Sequence, residues 1–201
     1  MQIIWTIDNT TSIEGHRVDV IGAPGIGRGR SVLRPPEDNA VNFDGVKDGL
    51  LVNCNPIADL TEFTLEVLFY PIAGGEFEQR FVHMQERASE NRALIELRSM
   101  AGQFYLDTYL HSTSSQLTLI TPEHLHPNNN WYWAALCYDG TTMRHLLNGV
   151  EEASGPVNFA PLGAGLTSIG VRQNQVSWFK GCVREIRVSD ESLEPSRLQT
   201  R

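Results

Sequence analysis

Apolar and polar residues alternate with a period of two along most of the chain, and no long stretch shows a helical period. Glu62–Tyr70 is typical, with apolar positions at Phe63, Leu65, Val67 and Phe69. Arg92–Arg98 and Gln103–His111 repeat the pattern. Because successive side chains of a strand point to opposite faces, this alternation predicts antiparallel strands that each bury one face.

Turn-forming Asp-Gly, Gly-Gly and Asn-Gly pairs separate many of the remaining apolar runs. Further strands are predicted at Ile3–Ile7, Arg17–Ile21, Ala40–Phe43, Leu50–Asn53, Gln79–Arg87, Trp131–Tyr138, Met143–Leu147, Val150–Ala153, Leu166–Ile169 and Trp178–Val188. The Asn148-Gly149 pair predicts a tight hairpin, and a short helical turn is predicted after Ser189. Many short strands without a linker indicate an all-β sandwich of two antiparallel sheets, with residues 1–201 as a single domain.

The charge balance of the 201-residue chain argues against two classes of partner. Its 16 basic and 24 acidic residues leave a net charge of −8, which gives no overall attraction to nucleic acid or an anionic membrane. No apolar run reaches the ~18 residues of a membrane span. We therefore expect neither nucleic-acid binding nor membrane insertion, while the oligomeric state stays open. A strand-like segment follows Met1 directly, so no signal peptide is predicted, and we expect a cytoplasmic location unless a leader was removed.

Three ordered segments resemble a known family. Residues 42–50 (NFDGVKDGL) and 60–66 (LTEFTLE) resemble the opening motif of laminin-G-like jelly rolls. Residues 131–140 (WYWAALCYDG), followed by 147–149 (LNG), resemble the hairpin of that family. Residues 179–188 (FKGCVREIRV) resemble its closing strand. On these motifs the chain is identified as a member of the concanavalin A-like lectin/glucanase superfamily.

The resemblance implies an all-β, two-sheet antiparallel jelly-roll sandwich. That fold is found in lectins, adhesion modules, glycoside hydrolases and polysaccharide lyases, so it leaves the activity open. One position departs from the family pattern, since Arg184 stands where an acidic residue is common, while Glu185 beside it is retained.

Alternation places a set of polar side chains away from the apolar core. They are Glu66, His83, Gln85, Arg87, Glu96, Arg98, Tyr105, Asp107, Tyr109 and His111. In the resembling fold one sheet curves, and its concave face is where enzymes and some lectins hold a glycan. Aromatic rings stack on sugar C–H surfaces, while carboxylate, Arg and Gln groups hydrogen-bond adjacent hydroxyls. The predicted ligand-binding residues are Glu66, His83, Gln85, Glu96, Arg98, Tyr105, Asp107 and Tyr109. The alternative is a solvated face with cross-strand ion pairs.

The leading functional hypothesis is a non-catalytic carbohydrate-binding or adhesion-like module that uses this polar concave face. A protein-interaction module, binding through its loops, is a further alternative. Whether the protein is an enzyme stays open, and no catalytic residues are assigned.

Two enzyme classes are weighed against the binding module. A glycoside hydrolase needs two carboxylates about 5–10 Å apart, and Glu66 with Glu96 are the candidates. The Glu-x-Asp-x-Glu strand of the retaining glucanases of this fold is absent from the sequence. A uronate-directed lyase needs groups that neutralise a carboxylate and a proton-transfer residue. Arg98 and Gln85 suit the first role, and His83 or Tyr109 the second.

No cofactor and no metal site are predicted, with calcium as the alternative because laminin-G-like domains commonly bind it. The available loop acids are Asp44, Asp48 and Asp139, whose neighbouring glycines favour an interpretation as turn formers. The three cysteines, Cys54, Cys137 and Cys182, fit no metal motif and are predicted to be buried thiols. The glycine-rich segment 22–30 lacks a following Gly-Lys-Ser/Thr and is predicted to be a surface loop.

Overall fold

The computed structural model describes residues 1–27, 39–113 and 115–200. This part of the chain folds into strands and one short 3₁₀ turn at Pro195–Arg197, without an α-helix. In chain order the strands are β1 (Gln2–Thr6), β2 (Ser12–Ile13), β3 (His16–Ile21), β4 (Gly25–Ile26), β5 (Val41–Asp44), β6 (Gly49–Val52), β7 (Phe63–Pro71), β8 (Glu78–Glu86), β9 (Arg92–Met100), β10 (Gln103–Ser112), β11 (Ser115–Ile120), β12 (His126–Pro127), β13 (Tyr132–Tyr138), β14 (Thr142–Leu147), β15 (Val150–Pro156), β16 (Gly165–Ile169) and β17 (Lys180–Ser189).

The described strands form two antiparallel sheets. The eight-stranded sheet has the order β15-β14-β13-β7-β17-β5-β4, with β1 also paired to β17. The nine-stranded sheet has the order β11-β10-β9-β8-β16-β6-β3-β2, with β12 also paired to β10. This arrangement confirms the predicted all-β, two-sheet jelly-roll sandwich.

A cluster of phenylalanine rings joins the inner faces of the two sheets. Phe69 of β7 stacks on Phe81 of β8, with ring centroids 4.3 Å apart and planes inclined by 13°. Phe104 and Phe179 contact the Phe69 ring at centroid distances of 5.7 and 6.4 Å. All four side chains are fully buried. Burial of each ring contributes roughly 1.5–3 kcal/mol, so this cluster stabilises the sandwich and sets how its sheets face each other.

A β-bulge in β8 decides which of its side chains face outward. The register of β8 against β9 shifts between Arg80 and Val82, which leaves Phe81 as the extra residue. Strict alternation from the outward-facing His83 would place Phe81 outside and Arg80 inside. The bulge reverses this alternation, because an extra residue in a strand moves the side chains that precede it to the opposite face of the sheet. Phe81 therefore enters the core, while Arg80 and Glu78 lie on the outer face.

The predicted strands all correspond to observed ones, with ends displaced by up to three residues. The predicted hairpin is confirmed, since Asn148 and Gly149 join β14 to β15 with φ values of 49° and 78°. The sequence prediction missed β2, β4, β11 and β12. Edge strand β11 has three polar residues among its six, and its strand conformation comes from pairing with β10 over its whole length. The predicted turn after Ser189 is displaced to Pro195–Arg197, because the chain first runs over the outer face of the eight-stranded sheet, where Thr64 hydrogen-bonds Glu191 and Leu193.

The C-terminal segment, residues 190–200, covers part of the outer face of the eight-stranded sheet. The hydroxyl of Thr64 accepts a hydrogen bond from the Leu193 amide at 2.8 Å and donates to the Glu191 carbonyl at 2.8 Å. Leu193 and Leu198 pack into a small apolar cluster on this face.

Among residues 1–27, 39–113 and 115–200, no helix has the length and hydropathy needed to cross a membrane.

Of the segment predicted as a surface loop at residues 22–30, Gly25–Ile26 form β4 and residues 28–30 lie outside the described part of the chain.

Gly170 lies directly after β16 and packs closely against the ring of Phe43 in the core. Its φ is +83°, and a Cβ there would lie 2.2 Å from a ring carbon of Phe43. We expect Gly170→Ala to lower the free energy of unfolding by about 2–4 kcal/mol, because a steric clash adds to the cost of left-handed backbone. Gly15→Ala is the matched control, with φ +81° and no atom within 4 Å of the added Cβ. Urea denaturation compares the two, and equal losses would contradict the packing argument.

Candidate functional site

Polar side chains from four neighbouring strands form rows across the outer face of the nine-stranded sheet. The strand registers define the rows Glu78–Arg98–Tyr105, Arg80–Glu96–Asp107, His83–Leu94–Tyr109–Thr118 and Gln85–Arg92–His111–Gln116. We call this surface the polar face. It follows from the alternation of β9, β10 and β11, together with the phase change at the bulge of β8.

The structure brings most of the predicted ligand-binding residues together on the polar face. These are His83, Gln85, Glu96, Arg98, Tyr105, Asp107 and Tyr109. Alternation assigned their orientation correctly, and antiparallel pairing of β8, β9 and β10 makes them neighbours. Their contact with a ligand remains a prediction.

Glu66 does not belong to this group. It lies on β7 in the eight-stranded sheet, where its carboxylate accepts a hydrogen bond from the Gln199 amide at 2.7 Å under the C-terminal segment. It faces away from the core, as predicted, but on the opposite side of the molecule. Packed sheets lie about 10 Å apart, and both side chains point outward. Glu66 and Glu96 therefore do not form the close carboxylate pair that the hydrolase hypothesis requires.

Two adjoining cavities lie on the polar face, and we call them together the groove. The first has a volume of about 180 Å³ and is lined by Arg80, Arg92, Leu94, Glu96, Arg98, Tyr109, Thr118 and Arg172. The second has a volume of about 310 Å³ and is lined by Gln85, Glu90, Arg172, Gln173 and Asn174. Arg172 lines both cavities and so lies where they meet.

The loop between β16 and β17 forms one wall of the groove. The Gln173 amide donates a hydrogen bond to His83 Nδ1 at 3.1 Å, and the Arg80 guanidinium contacts the Ser177 hydroxyl. Gln175 and Ser177 both have a φ of 59°, which is uncommon for residues with a side chain. These contacts with β8 hold the loop in a conformation that its backbone would not favour alone.

His83 lies beneath this loop and has no exposed surface. Burial, followed by the nearby Arg172, Arg92 and Arg80 guanidiniums, lowers the pKa of His83 to about 3. The imidazole is therefore neutral near pH 7 and accepts the Gln173 hydrogen bond. The ring lines neither cavity, so its place in the structure is to support the groove wall, and proton transfer to a bound substrate has no geometric support.

Arg80 and Arg98 each connect carboxylates on the polar face. Arg98 donates from Nε to Asp107 Oδ2 at 2.7 Å and also pairs with Glu78. Arg80 pairs with two carboxylates as well. Its Nε lies 2.6 Å from Glu96 Oε2, and its Nη2 lies 3.1 Å from Glu78 Oε2. Two protein carboxylates therefore already engage Arg98, which leaves it poorly placed for the carboxylate-binding role of the lyase hypothesis.

Glu96 and Asp107 stand opposite each other in this network. Burial, with a further contribution from Asp107, raises the pKa of Glu96 to about 7 despite the opposing charges of Arg80 and Arg98. Burial also raises the pKa of Asp107. Two facing carboxyl groups with little access to water cannot both ionise easily.

Tyr109 presents an oriented aromatic ring to the first cavity. The Arg92 guanidinium lies 5.0 Å from its ring centroid, and the His111 ring stacks beside it at 6.0 Å. Its hydroxyl donates to Gln116 Oε1 at 2.6 Å. Contacts with Arg92 and His111, together with the hydrogen bond of its hydroxyl, thus hold the ring in place.

The loop acids weighed for calcium form turns. Asp44 Oδ1 accepts amide hydrogen bonds from Val46 and Lys47, and Asp139 Oδ1 accepts them from Thr141 and Thr142. Asp48 Oδ1 accepts from the Ala23 amide at 2.8 Å. Within the part of the chain that the structure describes, no three His, Cys, Asp or Glu side chains are grouped as metal ligands.

Cys54, Cys137 and Cys182 are free thiols, and burial raises the pKa of Cys137 to about 11.

The sequence prediction missed several residues of the polar face and the groove. Arg80 and Glu78 were hidden because the bulge is not visible in the alternation. Arg172 was missed because it lies in a loop that only the folded chain places against β8. The available signal was the polar run Gln173-Asn174-Gln175, which reads as an exposed loop before β17.

Comparison with known families agrees with the fold. A laminin G-type family model, described as the concanavalin A-like lectin/glucanases superfamily, matches residues 44–199. The match includes all of the polar face and the groove. No curated protein sequence matches the chain.

Solved structures with the same architecture share little sequence with this chain. Domain 4 of AbnA, an extracellular arabinanase from Geobacillus stearothermophilus solved with arabinotriose, superposes with a TM-score of 0.68 at 18% identity, covering 96% of this chain and 94% of that one. The binding domain of botulinum neurotoxin serotype D gives 0.65 at 11% identity, covering 97% and 49%. The CBM40 of the Ruminococcus gnavus IT-sialidase, bound to α2,3 sialyllactose, gives 0.57 at 16%, covering 69% and 81%. At these identities the likeness establishes a common fold.

The raised pKa of Glu96 predicts a pH-dependent stability. The unfolded chain releases this proton near pH 4.5, whereas the folded chain keeps it to about pH 7. Between these values the folded state binds more protons, so this group makes stability fall as pH rises. Relative to Glu96→Gln, we expect the wild-type free energy of unfolding to decrease by on the order of 1–3 kcal/mol from pH 4.5 to 7. Urea titrations at several pH values measure it. The exposed Glu62→Gln is the control and should follow the wild type, while identical pH profiles for Glu96→Gln and wild type would refute the assignment.

Proposed function

Because the chain belongs to the concanavalin A-like lectin/glucanase superfamily, we propose that it is a carbohydrate-binding module whose ligand lies in the groove of the polar face. The observation that carries the proposal is the groove itself, where two cavities of about 180 and 310 Å³ meet at Arg172. We further propose that residues 1–201 form one such domain, since β1 near one end pairs with β17 near the other.

The chemistry of the groove suits a sugar. Gln85, Gln173 and Asn174 line the second cavity, and amide side chains both donate and accept hydrogen bonds, as adjacent sugar hydroxyls require. Tyr109 supplies an aromatic surface in the first cavity for the C–H face of a sugar ring. Because contacts with Arg92 and His111 already orient this ring, binding costs little additional side-chain entropy.

The arrangement favours binding without bond cleavage. The carboxylates proposed for hydrolysis, Glu66 and Glu96, lie on opposite sides of the sandwich. Of the two residues proposed for proton transfer, His83 has no exposed surface, and the Tyr109 hydroxyl already donates its proton to Gln116 Oε1 at 2.6 Å. Arg98, proposed to hold a uronate, is engaged by Glu78 and Asp107.

Two of the structural relatives were solved with carbohydrates bound, arabinotriose for the arabinanase domain and sialyllactose for the sialidase CBM40. These ligands belong to those proteins. They indicate that this fold is suited to carbohydrate binding. In this chain we propose that the carbohydrate binds in the groove.

Filling the groove tests the proposal directly. Thr118 is an exposed residue of edge strand β11 that lines the first cavity, so Thr118→Trp adds bulk there without removing a buried group. Ser154→Trp makes the same change at an exposed position of β15, the edge strand of the other sheet. On an array of neutral and acidic oligosaccharides, we expect wild type and Ser154→Trp to bind the same glycans and Thr118→Trp to lose roughly tenfold or more in affinity.

Two results would contradict the proposal. One is the absence of glycan binding by the folded wild type, which would favour a protein-interaction module instead. The other is unchanged affinity in Thr118→Trp, which would place the ligand elsewhere. Reducing ends and unsaturated products, followed with the bound glycan, show whether cleavage accompanies binding.

A further inference from the structure

Arg172 differs from the other arginines of the groove in its partners. Arg80 and Arg98 are paired with buried carboxylates, and Arg92 lies 3.6 Å from a Glu90 carboxylate oxygen. Among the described residues, none forms a hydrogen bond or an ion pair with the Arg172 side chain. This guanidinium is half-buried and lines both cavities, so its donors border the space that a ligand would occupy.

The surroundings make this cation costly to leave without a counterion. Burial, followed by repulsion from Arg92 and Arg80, lowers the pKa of Arg172, against weaker attraction from Glu96 and Glu90. This local excess of positive charge stands out on a chain whose net charge is −8. An uncharged ligand covering Arg172 would remove water from the guanidinium without compensating its charge.

We propose that the groove takes a glycan bearing a carboxylate and that Arg172 binds that carboxylate. The inference rests on the proposed function and specifies its ligand class. A guanidinium presents two parallel N–H donors that match the two oxygens of a carboxylate. Gln173 and Asn174, next along the same loop, lie on the second cavity and hydrogen-bond hydroxyls of the same sugar.

The loop geometry supports this role for Arg172. Its neighbour Gln173 is anchored to His83 through the backbone amide and to the Leu166 carbonyl through its side chain, at 3.1 and 2.8 Å. Arg172 follows Gly170 and Val171 directly after β16, and Val171 is buried. The cation is therefore presented from a fixed backbone, which lowers the entropy lost when a ligand binds.

Sugar carboxylates come from hexuronates or from sialates, and matched pairs of probes distinguish these sources. Trigalacturonate is compared with its methyl ester, and sialyllactose with lactose, by isothermal titration calorimetry at low and moderate salt. We expect wild type to bind the acidic member of one pair at least tenfold more tightly, with the preference reduced by salt. Arg172→Gln should lower the affinity for that acidic glycan by roughly 10- to 100-fold and leave the neutral one unchanged, with Arg172→Lys intermediate.

Arg17→Gln controls for the lost charge, because Arg17 is exposed on β3, three strands away from β8 in the same sheet. It should bind as wild type does. Equal binding of acidic and neutral members, or binding only of neutral glycans, overturns the inference while the proposed function stands. An acidic preference that persists in Arg172→Gln overturns the assignment of Arg172. Failure of the wild type to bind any glycan of the array overturns the proposed function itself.

Discussion

The stacking of Phe69 on Phe81 is the contact on which the rest of the structure depends. It joins the middle of the two sheets at a centroid distance of 4.3 Å, inside a fully buried aromatic cluster. Phe81 can reach this position only because β8 contains a bulge, and the same bulge turns Arg80 to the outside. Core packing and the charge pattern of the polar face therefore share one cause. A strand without the bulge would expose an aromatic ring and bury a guanidinium, both at considerable cost.

The two outer faces of the sandwich differ in the chain segments that pack over them. The eight-stranded sheet is covered in part by the C-terminal segment, to which Thr64 and Glu66 are hydrogen-bonded. The nine-stranded sheet keeps its outer face accessible, with the β16–β17 loop as a wall along one side. Glu66 on one sheet and Glu96 on the other both stand at outward positions of alternating strands, so alternation alone makes these two positions look equivalent. Their difference arises from the chain segments that pack over them.

Charge on the polar face is organised before any ligand arrives. Buried carboxylates such as Asp107 would be strongly unfavourable alone, and the guanidiniums of Arg80 and Arg98 compensate them. This network also holds the strands in register and ties the loop to the sheet through Ser177. Arg172 lies at the edge of the network without a carboxylate partner of its own. It therefore gives the groove a local positive charge on a protein whose net charge is −8.

The sequence by itself determined thirteen of the seventeen described strands, the hairpin at Asn148-Gly149 and the family, since these depend on local alternation, turn residues and ordered motifs. It also determined that His83, Glu96 and Tyr109 face away from the core. Only the tertiary structure decided which sheet Glu66 joins, where β8 changes phase, and that a loop brings Arg172 to the groove. The physical reason is that alternation specifies the face of a strand, whereas sheet membership, bulges and loop contacts are settled by packing between segments distant along the chain.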